Sequence, residues 1–299
     1  MIRKHQIIIG NALEKLQIIQ DKTVDCIITS PPYYALRNYG TKPQIWGGSE
    51  DCEHVWNEIK IKRLNLSGGK TKKQLTNVGS YGVDYNDRYS YSHKCNECDA
   101  WKGELGQEPK VEMYIDNLSK IFEECKRVLK DEGSLWINIA DTYIDSGKQR
   151  KGLYCVPDRL KLKLVELDWL CRMEIIWHVT NKMPTSVKDR YNVDHEKLFM
   201  FVKQPNYFFD QQSTLGKDGN LRALRTVWSI PNGAGKNSNT ASFPEELVKI
   251  PLLSSCPVDG TVLDPFAGSG TVLKVAEKYN RNSIGIELKE EFMGNKNNH

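Results

Sequence analysis

Two short segments, far apart in a chain of 299 residues, carry side chains suited to one chemistry. The first is Thr29-Ser30-Pro31-Pro32-Tyr33. The Ser30 hydroxyl oxygen and the Pro31 carbonyl can both accept hydrogen bonds from an exocyclic amine on a planar base. Such an amine is a poor nucleophile, because its lone pair is delocalised into the ring. Accepting its protons directs lone-pair density toward an incoming electrophile. Pro31 and Pro32 stiffen the turn and fix where the carbonyl points. Tyr33 offers an aromatic face for stacking. Taken alone, this segment is also an ordinary Pro-Pro turn.

The second segment is Asp264-Pro265-Phe266-Ala267-Gly268-Ser269-Gly270-Thr271. It follows a predicted strand and opens a predicted helix. Gly268 and Gly270 permit tight backbone geometry and close approach of a ligand. Glu287 ends the next predicted strand, where an acid can accept hydrogen bonds from ribose hydroxyls. The spacing is not Gly-x-Gly-x-x-Gly, so no pyrophosphate cradle is implied. A nucleoside-type cofactor fits better; the plain alternative is a glycine-rich turn.

The elements that must position these segments follow from hydrophobic periodicity. Strands are predicted at 6–9, 24–29, 134–140, 172–179, 197–203, 261–263 and 282–287, with a short one at Tyr207-Phe208-Phe209. Helices are predicted at 11–20, from about 111 to 129, at 156–168, from Pro244 onward and from the glycine turn to Tyr279. Strands alternating with helices imply a mostly parallel sheet covered on both faces. In such open α/β sheets ligands gather at the carboxyl ends of the strands, where both segments fall. Residues 38–110 lack sustained periodicity and read as an insertion without core elements. Residues 211–242 read as a polar loop.

With that order in place, the chain resembles the S-adenosylmethionine-dependent DNA amino-methyltransferases. The catalytic segment precedes the cofactor segment, as in the β-type circular permutation of that family. Gly133-Ser134-Leu135-Trp136-Ile137-Asn138-Ile139, Ile175-Ile176-Trp177-His178, His195-Glu196-Lys197-Leu198-Phe199-Met200-Phe201 and Ser242-Phe243-Pro244-Glu245-Glu246-Leu247 resemble further family segments. The resemblance implies a Rossmann-like, doubly wound class I methyltransferase fold over 1–37 and 111–299. It implies Ser30, Pro31, Pro32 and Tyr33 at the reacting amine. Asp264, Phe266, Gly268, Gly270, Thr271 and Glu287 would hold S-adenosylmethionine. Asn11 stands where the family often has an acid and would contact the same cofactor without a charge. Double-stranded DNA is the implied substrate, with the target base flipped out. Ser30 is typical of cytosine-N4 members, whereas Asp or Asn is typical of adenine-N6 members, so adenine is the second reading. Cytosine-C5 chemistry needs a Pro-Cys dipeptide, and none occurs. A non-catalytic, zinc-stabilised nucleic-acid-binding protein is the remote alternative. A companion restriction endonuclease is compatible, and either a monomer or a homodimer fits.

The insertion carries its own pattern. Cys52-Glu53-His54 is followed by Cys95-Asn96-Glu97-Cys98. Cys-x-x-Cys is a recurring zinc half-site, and Cys-x-His can complete it as three thiolates and an imidazole. Reduced cysteines on a loop are the alternative, and His93 is a weaker substitute for His54. Trp46, Trp56 and Trp101 are expected to pack in this module. Lys60, Lys62, Arg63, Lys70, Lys72 and Lys73 form a basic stretch, either phosphate-contacting or merely solvated. Residues 211–240, with Arg222, Arg225 and Lys236, are a second candidate for DNA contact and target recognition.

Composition sets the frame. The eight cysteines, in a chain without a signal-peptide pattern, suit a reducing cytoplasm and metal more than disulfides. A net charge of +4 permits a polyanionic partner without demanding one. No apolar run approaches a membrane span.

Overall fold

The computed structural model describes residues 4–62, 89–215, 220–233 and 244–293. Arg63, Lys70, Lys72, Lys73, Gly235, Lys236, Ser242 and Phe243 lie outside the described residues, as do the side chains of Lys60 and Lys62. The chain divides into two compact units. One comprises Met1–Pro31, Lys120–Ala140 and Lys161–His299; the other comprises Pro32–Ser119 and Asp141–Leu160.

The first unit is built on eight strands: β1 (His5–Ile9), β2 (Val24–Thr29), β7 (Leu129–Ile139), β8 (Leu170–His178), β9 (His195–Val202), β12 (Val227–Ser229), β13 (Thr261–Asp264) and β14 (Asn282–Glu287). Their order across the sheet is β1-β14-β13-β2-β7-β9-β8-β12. Every neighbouring pair is parallel except those made by β9, which runs against both β7 and β8. The mixed, mostly parallel sheet is the expected class. Central strands read as continuous apolar runs because both faces are covered. Ile27, Ile28, Leu135, Ile137, Leu198 and Phe199 are all buried.

Helices α4 (Glu245–Ser255) and α5 (Thr271–Lys278) belong to this unit. Pro244 stands at the N-cap of α4, with Glu245 and Glu246 in its first turn, where acids complement the positive helix end. Trp136, at the centre of β7, donates its indole N–H to the hydroxyls of Ser134 and Ser255 at 3.1 and 3.0 Å. A large aromatic is thereby buried without an orphaned donor. Helix α1 (Ala12–Leu16) is shorter than expected: Asn11 Oδ1 caps it by accepting from Leu13 and Glu14 N–H, but only one turn follows.

The second unit holds an antiparallel sheet of β3 (Gln44–Trp46), β4 (Trp56–Lys62), β5 (Tyr89–Cys95) and β6 (Trp101–Gly103), ordered β3-β6-β5-β4. The stretch 38–110, which shows no sustained periodicity, therefore holds regular strands. A Tyr-Ser succession such as Tyr89-Ser90-Tyr91-Ser92 offers no apolar run by which to tell a strand from a loop. Trp46 and Trp101 are buried; Trp56 is partly so. Helices α2 (Val111–Val128) and α3 (Val156–Glu166) have residues in both units.

Two further expectations need correction. Tyr207–Phe209 is not a strand; Phe208 N–H makes one backbone bond, to Glu132, and the segment continues as coil. The polar stretch 211–242 is not wholly loop. It contains the hairpin β10 (Ser213–Leu215) and β11 (Leu221–Ala223), as well as β12. Three-residue strands show no period to read. Trp228 anchors β12, because it is 7% exposed and packs 6.4 Å from Trp136.

Arg281 is buried and holds the turn before β14. Its Nε and Nη2 donate to the Cys256 carbonyl at 3.0 and 2.8 Å, and Nη1 donates to Tyr279. Arg281→Leu leaves those carbonyls unpartnered and is expected to cost about 2–4 kcal/mol. Urea denaturation followed by tryptophan fluorescence measures this; a loss below about 1 kcal/mol would show the guanidinium to be dispensable.

Candidate functional site

The strand directions bring the two chemical segments to one edge of the first unit. β2, β13 and β14 are parallel neighbours, so Ser30, the glycine turn and Glu287 all leave at carboxyl ends. Beyond the pairing of β2 with β13, a buried side-chain hydrogen bond joins them. Thr29, the last residue of β2, donates its hydroxyl to Asp264 Oδ1 at 2.7 Å. The same oxygen accepts the Phe266 N–H at 3.0 Å. Asp264 therefore sets both the direction of the chain at Ser30 and the shape of the glycine turn. Burial raises its carboxyl to about 7, against the lowering effect of Thr29 and Phe266, with Glu287 adding a smaller push upward.

Glu287 supports the same turn from the next strand. Its Oε2 accepts the Gly268 N–H at 2.8 Å, and its Oε1 accepts the Lys289 N–H at 2.9 Å. Burial raises this carboxyl too, offset by those N–H donors. Each oxygen keeps lone-pair capacity for a further donor. Gly268 and Gly270 adopt φ of +51° and +77°, where a side chain is strained. A Cβ built on Gly268 would meet nothing nearer than the Phe266 carbonyl at 3.9 Å, so its outer side is open. Gly270 caps α5, and the hydroxyls of Ser269 and Thr271 lie 3.4 Å apart. Asn11 follows β1, the other neighbour of β14, but its Oδ1 is engaged in capping α1. An Asn before a helix is a common N-cap, a signal present in the sequence beside the cofactor reading.

In the second unit the backbone after the Pro-Pro turn is held by residues that no motif marks. The Tyr114 hydroxyl donates to the Pro32 carbonyl at 2.7 Å. Burial, and then the charge of Glu108, hold that phenol well above its ordinary pKa, so it stays a donor. Glu108 is fully buried; its Oε2 accepts Gly106 N–H at 2.8 Å and its Oε1 accepts from Asn117 at 3.1 Å. The Gly106 carbonyl in turn accepts Ala35 N–H at 2.8 Å, next to Tyr33-Tyr34. Thr142 donates to the Tyr34 carbonyl at 2.9 Å, and the Tyr34 ring packs on Tyr114 and Tyr154. Tyr33 itself is only partly buried. One buried acid among polar residues is too common a pattern to reveal this bracing from sequence.

The same unit gathers the four predicted metal ligands. The ligand atoms of Cys52, His54, Cys95 and Cys98 all lie within 4.8 Å of one another. Cys52 Sγ and Cys95 Sγ are 3.8 Å apart, and Cys98 Sγ is 3.3 Å from His54 Nδ1. Thiolates about 2.3 Å from a common centre, at tetrahedral angles, sit about 3.8 Å from each other. His93 lies instead in the β5 ladder opposite Glu58 and Lys102. Burial works to raise the Cys95 thiol, but N–H groups of Glu97 and Cys98, with the side chains of His54 and Cys98, lower it to about 6. Gly48, at φ +81°, passes so close that a Cβ there would lie 2.8 Å from Cys98 Sγ.

Comparison with known proteins agrees with this architecture. The TTHA0409 protein of Thermus thermophilus, solved in complex with S-adenosyl-L-methionine, aligns with a TM-score of 0.58 at 21% identity, covering 97% of this chain and 90% of that one. The PvuII DNA methyltransferase (cytosine-N4-specific) aligns with a TM-score of 0.62 at 16% identity, covering 97% and 83%. These likenesses establish the fold. By sequence, the Type II methyltransferase M.Cfr9I of Citrobacter freundii is 30% identical over 310 positions, 95% of this chain and 83% of the relative. M.SmaI of Serratia marcescens is 28% identical, over 97% and 89%. The DNA methylase model for N6 and N4 methyltransferases matches residues 24–295, so the chain belongs to the N6/N4 DNA methylase family.

Proposed function

We propose that this protein transfers a methyl group from S-adenosylmethionine to the exocyclic N4 amine of cytosine in double-stranded DNA. The observation that carries the reading is the Thr29–Asp264 hydrogen bond, which ties the strand ending at Ser30 to the glycine turn. Ser30, in place of Asp or Asn, favours cytosine over adenine. The relatives are Type II methyltransferases, which favours a cytoplasmic enzyme with a partner restriction endonuclease.

The residues at the sheet edge fit the methyl donor. The open side of Gly268 admits a ligand to the backbone, and Glu287 retains acceptor capacity for ribose hydroxyls. S-adenosylmethionine supplies an activated methyl carbon bonded to a sulfonium. Ser30 Oγ and the Pro31 carbonyl accept the amine protons of an extruded base, and the Tyr33 ring stacks on it. The amine nitrogen forms its bond to the methyl carbon as the carbon–sulfur bond breaks, and one amine proton then leaves to water. Positioning supplies most of the acceleration, with no covalent enzyme intermediate.

Ser30→Ala and Tyr33→Ala are each expected to lower turnover about a hundredfold or more, with S-adenosylmethionine affinity within about twofold. Tritiated-methyl transfer and calorimetry read the two quantities. Mass spectrometry of digested product DNA reads the base: N4-methylcytosine supports the proposal, and N6-methyladenine reassigns the target. Methylated-DNA sequencing of a host expressing the chain also gives the sequence context.

A cationic donor is attracted by ionised carboxylates. With Asp264 raised to about 7, donor affinity should rise as pH goes from about 6 to 8 and level off above, as the carboxyl loses its proton. Asp264→Asn should flatten that profile. A wild-type profile already flat over this window would show that Asp264 ionisation is not linked to binding.

The Cys52, His54, Cys95 and Cys98 cluster fits a structural zinc, on the distances above. Thiols crowded together compete for protons, and zinc removes the conflict by taking all three as thiolates. Purified protein should carry one zinc per chain by elemental analysis. Cys95→Ser, or Gly48→Val with its added bulk at Cys98, should lower that content several-fold. Absence of metal in wild-type protein purified without chelator would refute this.

A further inference from the structure

Apolar side chains left in water are informative when they cluster. Among the described large hydrophobic residues, the two most exposed are Tyr191 at 96% and Met183 at 83%. Both lie on the connection between β8 and β9, with Val187 and Val193, also exposed. Antiparallel neighbours need only about two to five residues to turn. Here residues 179–194 make the connection. Connections of that length without secondary structure of their own are unusual unless they have a function.

The loop is pinned rather than loose. Val179 N–H donates to the Asp194 carbonyl at 2.7 Å and closes the neck. Asn181 and Asn232 exchange hydrogen bonds, with Asn232 N–H donating to Asn181 Oδ1 at 2.7 Å. Asn192 Oδ1 accepts both the N–H and the hydroxyl of Thr185, at 2.9 and 2.7 Å, which draws the two limbs together. Tyr191 and Met183 therefore stay in water on a braced backbone.

The sheet fixes where this loop emerges. β9 is antiparallel to β7 and β8, so β8 runs with β7, β2 and β13. The loop leaves the carboxyl end of β8, on the edge that carries Ser30 and the glycine turn. The connection 179–194 carries Lys182, Lys188 and Arg190 against Asp189 and Asp194, with Lys182 also 3.9 Å from Glu196 at the start of β9. A positive loop with exposed aromatic and thioether groups matches a duplex opened at one base: phosphates outside, unstacked base faces inside.

We propose that residues 180–193 enter the DNA at the target and that Tyr191, with Met183 of the same loop, fills the stack vacated by the flipped base. Lys182, Lys188 and Arg190 serve the flanking phosphates. This rests on the DNA-methylating reading above and adds the residues that hold the base out. Tyr191 is a positioning residue, since it stabilises the extruded state without touching the reacting atoms.

The test uses the full chain and two duplexes bearing the methylated site found by sequencing the host DNA. In one the target base is normally paired; in the other it faces an abasic position, so extrusion is nearly free. Tyr191→Ala should lower kcat/KM on the paired duplex about ten- to hundredfold, the range expected when a stacking aromatic is removed. The loss should shrink below about threefold on the abasic duplex, and Tyr191→Trp should restore paired activity. Donor binding by calorimetry should be unchanged. Unaltered activity of Tyr191→Ala on paired DNA, or an equal loss on both duplexes, would overturn the proposal while leaving the methyltransferase reading intact. Absence of methylation by the wild type on any DNA would remove both.

Discussion

The carboxyl edge of the first unit turns on one buried hydrogen bond, from the Thr29 hydroxyl to Asp264 Oδ1. Parallel strands bring carboxyl ends to one edge, but they do not by themselves set the exit angle of each chain. Here a side chain ending β2 and a side chain ending β13 hold each other. The chain directions at Ser30 and at Phe266 then become one variable instead of two. Under the proposed function, the amine-accepting segment and the methyl-donor turn must be aligned to a fraction of an ångström for in-line transfer, and such coupling would serve that chemistry. Glu287 adds a third strand by fixing Gly268.

That arrangement also explains why the sheet tolerates β9 running backwards. A reversed strand between β7 and β8 needs a connection at each end. The connection at the carboxyl edge is 179–194, the other lies beyond Val202, and only the first joins the edge that carries chemistry. An antiparallel strand inside a parallel sheet is thus a means of projecting a long loop over a ligand edge without interrupting the strands that shape it. The buried run Leu198–Val202 shows that β9 still contributes fully to the core.

Much of this is legible in the sequence. The long α2 pattern, Tyr114, Leu118, Ile121, Phe122, Cys125 and Val128, is buried as its spacing requires. The central strands stand out as apolar runs, and the Cys-x-x-Cys spacing suffices to find a four-ligand cluster. What escapes has no period or no local signature. β12 is three residues held by Trp228, and the strands of the inserted sheet carry no apolar run to mark them in sequence. Helix α1 ends after Leu16 although its apolar spacing continues to Ile19. The bracing of Pro32 by Tyr114 joins residues far apart in sequence, and a hydrogen bond of that kind leaves no pattern in the chain. Tyr191 escapes for a related reason: sequence periodicity finds what is buried, and its distinction is that it is not.

Asp264 shows what precise placement of these residues costs. Holding its carboxyl at about 7, well above the range of an exposed aspartate, destabilises the folded state at neutral pH. The sign follows from proton binding: between about pH 4 and 7 the folded chain holds a proton that the unfolded chain releases, so stability falls as pH rises. An asparagine would accept the Thr29 hydroxyl equally well without this penalty. A carboxyl is therefore not what the fold needs at this position. Under the proposed function, a methyl donor bringing positive charge to the same turn, beside the second buried acid Glu287, would offset this cost. On that proposed reading the glycine turn favours a cation, and a neutral nucleoside of the same shape would bind it less well.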